Sequence, residues 1–519
     1  YEHGRSKVKT LVSRKLSFVF LIIQLLVSAA LVGLSIYVGF VPVKYIVALT
    51  VVCVVLLAYQ VCSQMTHSSY IIGRVLCIFF CAFYVGGGYY MYDSYAAMED
   101  IGGAETKVDI ISFYVLKDDP AKTIDDAKNY KFGILSQQDR ENTDKALAQV
   151  NKDLSTTVQT VEYEDTATLV DALYAKEVQV IVFNQAFLNS ITDQYDTFSK
   201  DTRVLGEHQE ETKVVREIED IDITTKPFTV YISGIDVYGK IAQTSRSDVN
   251  IIATVNPVTK KVLLTSTPRD YYVPLYGENG KSVSGGMPDK LTHAGIYGID
   301  CSIGTLEKIY DIKIDYYVRV NFTSLKKIVD LLGGVEVYSD YDFISDWGPH
   351  GAGTHYKFKK GYNKVNGKKA LAFCRERHHF ANGDYQRGRD HQHMIEAILN
   401  KAMSPSILQN FTGLLKESKN MFQTSMSTKK ISSLCNMQLN DMAKWKISYA
   451  NAEGTGAKKT TYSIRSTALY VCEPNYASIE KVKKKMKKYS TEVEETDETE
   501  KAAQSQDATD PSAHATMKP

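Results

Sequence analysis

Phe228-Thr229-Val230-Tyr231-Ile232 is an apolar run of β-branched and aromatic residues that passes directly into Ser233-Gly234-Ile235-Asp236. A run of this kind reads as a buried strand, and the small residues behind it read as its exit into a loop. Ser245-Arg246-Ser247-Asp248 leads into a second strand over Val249-Val255, and further strands follow at Lys261-Thr265 and Tyr316-Asn321. Helical patterns lie near Ile303-Tyr310, Thr323-Leu332 and Asp390-Met403. The mixture implies an α/β domain (α+β, a mixed sheet covered by helices) over residues 226–485.

Residues at the ends of neighbouring strands converge on one mouth, and several here carry charge. Asp236 and Asp248 form a candidate carboxylate pair, and the spacing of Arg246 and Asp248 places base and acid on one strand face. The same residues also read as a structural Asp-Arg pair with Asp236 capping a turn. Thr267-Pro268-Arg269-Asp270 closes the next strand, and Lys290 and His293 follow in Asp289-Lys290-Leu291-Thr292-His293-Ala294-Gly295-Ile296-Tyr297-Gly298. Lys290 is placed to reach an anion, whereas His293 reads first as a hydrogen-bonded core residue.

Cys374-Arg375-Glu376-Arg377, Gly383-Asp384 and Arg387-Gly388-Arg389 concentrate guanidinium groups in a short stretch. Read as a strand, Arg375 and Arg377 share one face while Glu376 points away, and two planar forks on one face grip a pyrophosphate bidentately. A solvated, salt-bridged strand before a basic helix start is the alternative. His378, His379, His391 and His393 are adjacent or two apart, so they do not share a face and do not point to zinc.

Outside this domain the chain is segregated. Leu16-Val41, Val43-Cys62 and Tyr70-Tyr92 (residues 16–41, 43–62 and 70–92) are nearly charge-free, and about 20 helical residues cross a bilayer. Residues 1–92 therefore read as a cytoplasmic arm and three transmembrane helices, with Pro42 and Lys44 at a tight outer turn. Arg5, Lys7, Lys9, Arg14 and Lys15 hold the N-terminus inside, so the odd number of spans sets everything after Asp93 outside the membrane. Three consecutive spans without a small-residue cleavage site exclude a signal peptide, and the missing initiator methionine implies a truncated start.

Val108-Tyr114, Lys131-Leu135 and Val178-Phe183 alternate with helical patterns at Arg140-Leu154 and Thr166-Lys176, which indicates a small accessory α/β domain over 105–205. The charged stretch Gly206-Asp222 reads as a linker, Lys481-Lys488 as a basic helical run, and residues 490–519 as a disordered acidic tail. Cys301, Cys374, Cys435 and Cys472 are too widely spaced for a zinc motif but leave room for one or two disulfides. The 61 basic and 60 acidic residues nearly cancel, and the inner arm holds no helix-turn-helix, so a nucleic-acid partner is not expected.

Ser233-Gly-Ile-Asp236, Ser245-Arg-Ser-Asp248, Thr267-Pro-Arg-Asp270, Lys290-Leu-Thr-His-Ala-Gly-Ile-Tyr-Gly298, Asn321-Phe through Leu332-Gly-Gly-Val335, and Arg375-Glu-Arg377 with Gly383-Asp384 and Arg387 follow one another in an order that resembles the LytR-CpsA-Psr family. The resemblance covers Phe228 to Ser404, and the membrane and accessory parts resemble those of streptococcal capsule members. It implies a membrane phosphotransferase that moves capsular polysaccharide or a related glycan from a polyprenyl-pyrophosphate carrier to peptidoglycan, with membrane lipid and other capsule-synthesis proteins as further partners. It also implies that Asp236 and Asp248 hold Mg2+ or Mn2+, that Arg246, Arg269, Arg375, Arg377 and Arg387 neutralise pyrophosphate, and that Asp384 orients the arginines. His391, with Gln392 behind it, stands where the family often has Gln, and either residue is assigned to phosphate with Lys290. An apolar tunnel lined by Ile328-Leu332 and Leu291-Ile299 is expected for the lipid. A non-enzymatic sensor of the lipid-linked polymer, or a pyrophosphate hydrolase, is the competing reading.

Overall fold

A computed structural model of the chain describes residues 2–65, 70–101, 106–213, 219–235, 241–277, 280–345, 355–381, 383–405, 407, 411–418 and 421–492. It begins with three helices, α1 (Glu2–Tyr37), α2 (Val43–Met65) and α3 (Tyr70–Ile101). Lys15–Tyr37, Val43–Met65 and Ile71–Glu99 within them are long and apolar enough to cross a membrane. α1 stops short of the expected Val41 because Gly39 turns the chain with φ +71° ahead of Pro42. The acidic tail from 493 onward lies outside the described residues.

The accessory part holds β1 (Thr106–Leu116), β2 (Lys131–Leu135), α4 (Arg140–Leu154), β3 (Gln159–Tyr163), α5 (Thr166–Tyr174), β4 (Val180–Asn184), α6 (Leu188–Thr192), α7 (Phe198–Asp201) and β5 (Thr202–Lys213). Its sheet order is β3-β2-β4-β1-β5. α4 covers one face through Ala146, Leu147 and Val150, and α5 covers the other through Leu169, Val170 and Leu173. The expected linker is corrected here: from Gly206 to Lys213 the chain pairs along β1, and its charges alternate outward at an edge.

The larger part contains β6 (Phe228–Ile235), β7 (Ser247–Asn256), β8 (Lys261–Ser266), β9 (Tyr272–Pro274), β10 (Pro288–Lys290), α8 (Ile299–Tyr310), β11 (Tyr316–Asn321), α9 (Phe322–Leu331), β12 (Val335–Ser339), β13 (Phe343–Ile344), β14 (Lys357–Phe358) and β15 (Gly361–Val365). α10 (Gly367–Arg375), α11 (Gly383–Ala402), α12 (Phe411–Ser418), β16 (Gln423–Thr424), α13 (Thr428–Asp441), β17 (Lys446–Asn451), β18 (Gly454–Lys459), β19 (Leu469–Pro474) and α14 (Tyr476–Thr491) complete it. The main sheet runs β16-β11-β6-β7-β8-β17, with β11 parallel to β6 and β17 parallel to β8.

Alternation in β6 sorts its side chains onto two cores. Tyr231 packs with Leu306 and Tyr310 of α8 and Val482 and Met486 of α14, while Phe228 and Val230 face Ile395 of α11 and Ile431 of α13. α14 buries Ile479, Val482 and Met486 and so orders the basic run, leaving most of its lysines toward solvent. A third core gathers Val329, Leu332, Val337, Phe343, Phe373 and Met394.

That third core corrects two expectations. Leu291 and Ile299 belong to the Tyr231 core, so the two stretches assigned to one lipid tunnel lie in separate clusters. Arg375-Arg377 is not a strand: Asn366 caps α10 by accepting from the Lys369 amide at 3.0 Å, the Ala- and Leu-containing run continues as helix, and the chain becomes extended only at Glu376. The disulfide expectation also fails, since Cys301, Cys374, Cys435 and Cys472 are all free thiols.

Candidate functional site: an arginine and aspartate mouth at the sheet edge

β7 and β8 run antiparallel with Ile251 opposite Ser266, so the start of β7 and the exit of β8 reach the same edge. Asp248 and Arg269 meet there, Arg269 Nη1 donating to Asp248 Oδ2 at 2.9 Å. Thr292 Oγ1 donates to Asp248 Oδ1 at 2.8 Å, and the Thr292 amide donates to the Arg269 carbonyl at 2.8 Å. Burial alone would raise the Asp248 carboxyl, but Arg269, then Arg246 and Arg387, and the Thr292 hydroxyl hold it well below the usual carboxylate range. Asp248 in turn drives the Arg269 guanidinium above its ordinary value.

α11 brings its first turn to this pair. Arg387 Nη2 lies 2.9 Å from Asp384 Oδ1, and Arg269 Nε lies 3.8 Å from Asp384 Oδ2 and 3.6 Å from Asp270 Oδ2. Lys290 joins the rim through Asp270 at 3.2 Å. Burial first, and then the charge of Arg269, lower the Arg387 guanidinium, with Arg377 adding to the effect. Arg246 is buried, and burial opposes its charge while Asp248 and Asp193 restore it to a raised value. Its Nη1 pairs with Asp193, which follows α6 of the accessory part.

Arg375 ends α10 with its guanidinium over the Phe322 ring, 4.6 Å from the centroid. Glu376 turns inward and accepts from the amides of Arg377, His378 and His379 at 2.9, 2.8 and 3.1 Å, which shapes the backbone that carries Arg377. Asp236 falls outside the described residues. His293 is a buried partner of Asp289, its Nδ1 2.7 Å from Oδ1.

The phosphate assignment of Gln392 is corrected. It is fully buried and spends both amide hydrogens on the main-chain carbonyls of Leu264 and Ala450, each at 2.9 Å, so it joins β8 to β17 instead of facing the mouth. His391 Nε2 donates to the Cys374 carbonyl at 2.8 Å. Burial, and next the Arg387 charge, lower this imidazole to about 4, so it is neutral at physiological pH and has already used its donor.

That shift has a measurable sign. An unfolded histidine titrates near ~6.5, so as pH falls below this the unfolded chain takes the proton first, and stability is lost down to the folded value. The His391 contribution is read as a difference: in thermal melts at stepped pH the wild-type melting temperature is expected to fall, across that window, relative to that of His391→Gln, which keeps a donor for Cys374.

Two partners escaped the sequence reading. Thr292 was in plain view beside Lys290, but a hydroxyl next to charged residues carries no pattern of its own. Asp193 is brought in from another fold unit, where β1 pairs with Gln243 at Val108 and Thr244 Oγ1 donates to Asp109 at 2.8 Å.

Comparison with known proteins bears directly on this mouth. A 33% identical stretch of 222 residues, 42% of this chain and 67% of the relative, matches the polyisoprenyl-teichoic acid–peptidoglycan teichoic acid transferase TagU of Bacillus licheniformis. The Bacillus subtilis protein of the same name is 32% identical over 222 residues, again 42% and 67% of the two chains. Biofilm regulatory protein A of Streptococcus mutans is 34% identical over 209 residues, 39% of this chain and 51% of that one. The crystal structure of Bacillus subtilis TagV aligns with a TM-score of 0.43 at 26% identity, covering 52% of this chain and 99% of that one. The LytR_cpsA_psr family matches residues 189–488, which includes Asp193, every charged residue of the mouth and most of α14. The chain belongs to the LytR_cpsA_psr family.

Proposed function

We propose that the protein is a membrane-anchored phosphotransferase that moves a glycan phosphate from a polyprenyl-pyrophosphate carrier to peptidoglycan outside the cell membrane, with a capsular polysaccharide as the glycan. The observation that carries this reading is the ionised Asp248 locked between Arg269 and Thr292, with Arg246 and Arg387 around it. Fixed cations at a concave sheet edge suit a pyrophosphate, because charge that develops on its oxygens meets donors already in place.

Asp248 has the chemistry of a magnesium ligand. It is ionised, and each oxygen accepts one hydrogen bond, from Arg269 or Thr292, while retaining a second lone pair for a hard cation. Mg2+ held by Asp248, with Asp236 as its proposed companion, would supply charge neutralisation at the phosphoryl oxygens. Arg269, Arg246 and Arg387 bind and orient the pyrophosphate. Asp384 holds Arg387 and steers Arg269, and Lys290 is held at the rim by Asp270. A sugar hydroxyl of peptidoglycan attacks the sugar-linked phosphorus, the bond to the bridging oxygen breaks, and polyprenyl phosphate leaves with that oxygen. The acceptor proton passes to solvent or to a carboxylate at the mouth.

The test uses the full chain in detergent with a polyprenyl-pyrophosphate glycan and peptidoglycan, following both polyprenyl phosphate release and glycan linkage by mass spectrometry. Asp248→Asn is expected to lower both by at least ~100-fold. Equal rates in wild type and Asp248→Asn would refute the mechanism. Tight binding with neither product would turn the reading to a sensor of lipid-linked polymer, and release without linkage to a hydrolase.

A further inference from the structure

One face of α11 carries a second constellation that the mouth does not use. Gln386, Asp390 and His393 lie four and three residues apart along the helix and therefore share a face. Asp340, just beyond the end of β12, faces them. One ligand atom each from Asp340, Asp390 and His393 comes within 4.8 Å of the other two. Ligand atoms around one tetrahedral Zn2+ ion lie about 3.3 to 3.8 Å apart, so small side-chain adjustments would bring these three onto one ion.

The polar groups of this cluster are only half satisfied. Gln386 Nε2 donates to Asp340 Oδ2 at 2.9 Å and to Asp390 Oδ1 at 3.0 Å, so the amide aligns both carboxylates. Asp390 is 0% exposed and Gln386 2%, yet Asp390 Oδ2, Gln386 Oε1 and His393 Nδ1 have no hydrogen-bond partner. Among the described residues neither Asp340 nor Asp390 forms an ion pair with lysine or arginine. Arg389 acts on the cluster only through its charge, so a fully buried carboxylate oxygen beside a second carboxylate and an imidazole is left without a direct partner.

The imidazole is itself oriented. Tyr338 and Tyr449 flank it with ring centroids at 5.5 and 5.2 Å, and its Nδ1 is left without a partner.

We infer that Asp340, Asp390 and His393 form a binding site for one divalent transition ion of the zinc class, separate from the mouth at Asp248. An imidazole with two carboxylates suits Zn2+ better than Mg2+ or Ca2+, which favour all-oxygen shells. The histidine's partners are carboxylates, one from a different element, and not the neighbouring histidines. An ion here ties α11 to the end of β12, with Asp390 three residues from Arg387 and six from Asp384 on the same helix.

The full chain in detergent, with Mg2+ in excess to fill hard-oxygen sites, is titrated with Zn2+ by calorimetry. One saturable site is expected. It should weaken at least tenfold in Asp390→Asn and in His393→Gln, and remain unchanged in Asp248→Asn. X-ray absorption of the loaded protein should show nitrogen and oxygen neighbours without sulfur. The inference is overturned if wild type shows no saturable Zn2+ binding, if both α11 variants bind like wild type, or if sulfur appears in the first shell. Circular dichroism and thermal melts check folding of the buried variants. Should both fail to fold, the partly exposed Asp340→Asn decides by the same tenfold criterion.

Discussion

Arg269→Ala is expected to remove detectable transfer and to destabilise the protein at the same time. The side chain donates to Asp248 and approaches Asp270 and Asp384 with another nitrogen, so one guanidinium organises three carboxylates. Losing a donor to developing phosphoryl charge costs about 10²–10³ in rate. The remaining Asp248 charge, one-sixth exposed at its side chain, is left without its principal partner, and breaking a buried pair from one side costs about 3–5 kcal/mol. Transfer assays and thermal melts read the two losses separately. Arg269→Lys should recover part of the melting temperature but little activity, because a point charge cannot address Asp248 and Asp384 with separate nitrogens. Wild-type transfer in Arg269→Ala would remove this residue from the proposed chemistry.

Gly295→Ala is expected to be nearly as damaging although the residue carries no functional group. Gly295 lies in the buried turn Leu291–Ile296 directly against the backbone that presents Arg246. A Cβ placed there would sit 2.5 Å from the Ser245 carbonyl oxygen, 2.7 Å from the Ser247 nitrogen and 3.2 Å from the Arg246 carbonyl carbon. Backbone at the head of a central strand has little room to retreat, so either the turn or the strand entry shifts. Overpacking of this kind costs about 1–3 kcal/mol, and a displacement near 1 Å at a catalytic group costs roughly 100-fold in rate. The expected outcome is a lowered melting temperature with a fall in transfer of at least ~10-fold. Unchanged kinetics would mean that the turn does not set the position of Arg246.

Much of the architecture could be read from local pattern. β2, α4 and β11 span the same residues as the periodicity indicated, because their apolar spacing is regular and each is bounded by a turn or cap. Charge misled the reading at Gly206–Lys213, where outward-facing acids and bases on an edge strand look like a solvated linker. At Arg375–Arg377 alternating charge imitated a strand, while the information lay upstream in the Asn366 cap. The mouth was legible where a motif lay at the end of an element, as with Asp248 and Arg269 at strand ends and Asp384 and Arg387 at the start of α11. It was illegible where a side chain's direction decided the matter. Gln392 and His391 are neighbours, yet one turns into the sheet and the other to the Cys374 carbonyl, and composition distinguishes neither.

The outer ends of the apolar helices do not release the chain into a loose stalk. Val38 and Phe40 pack with Ala97, Met98 and Leu415, Lys44 donates to the Asn440 carbonyl, and Asn436 Nδ2 donates to the Gly39 carbonyl at 3.0 Å. β1 starts at Thr106, soon after α3 ends at Ile101, and bridges to Gln243 near Arg246. The sheet edge is therefore tied to the ends of the apolar helices by packing and hydrogen bonds, as a gauge is to its base, instead of hanging like a hook on a string. On the proposed function, in which the carrier's lipid tail is confined to one leaflet, this tether turns encounter into a search in two dimensions.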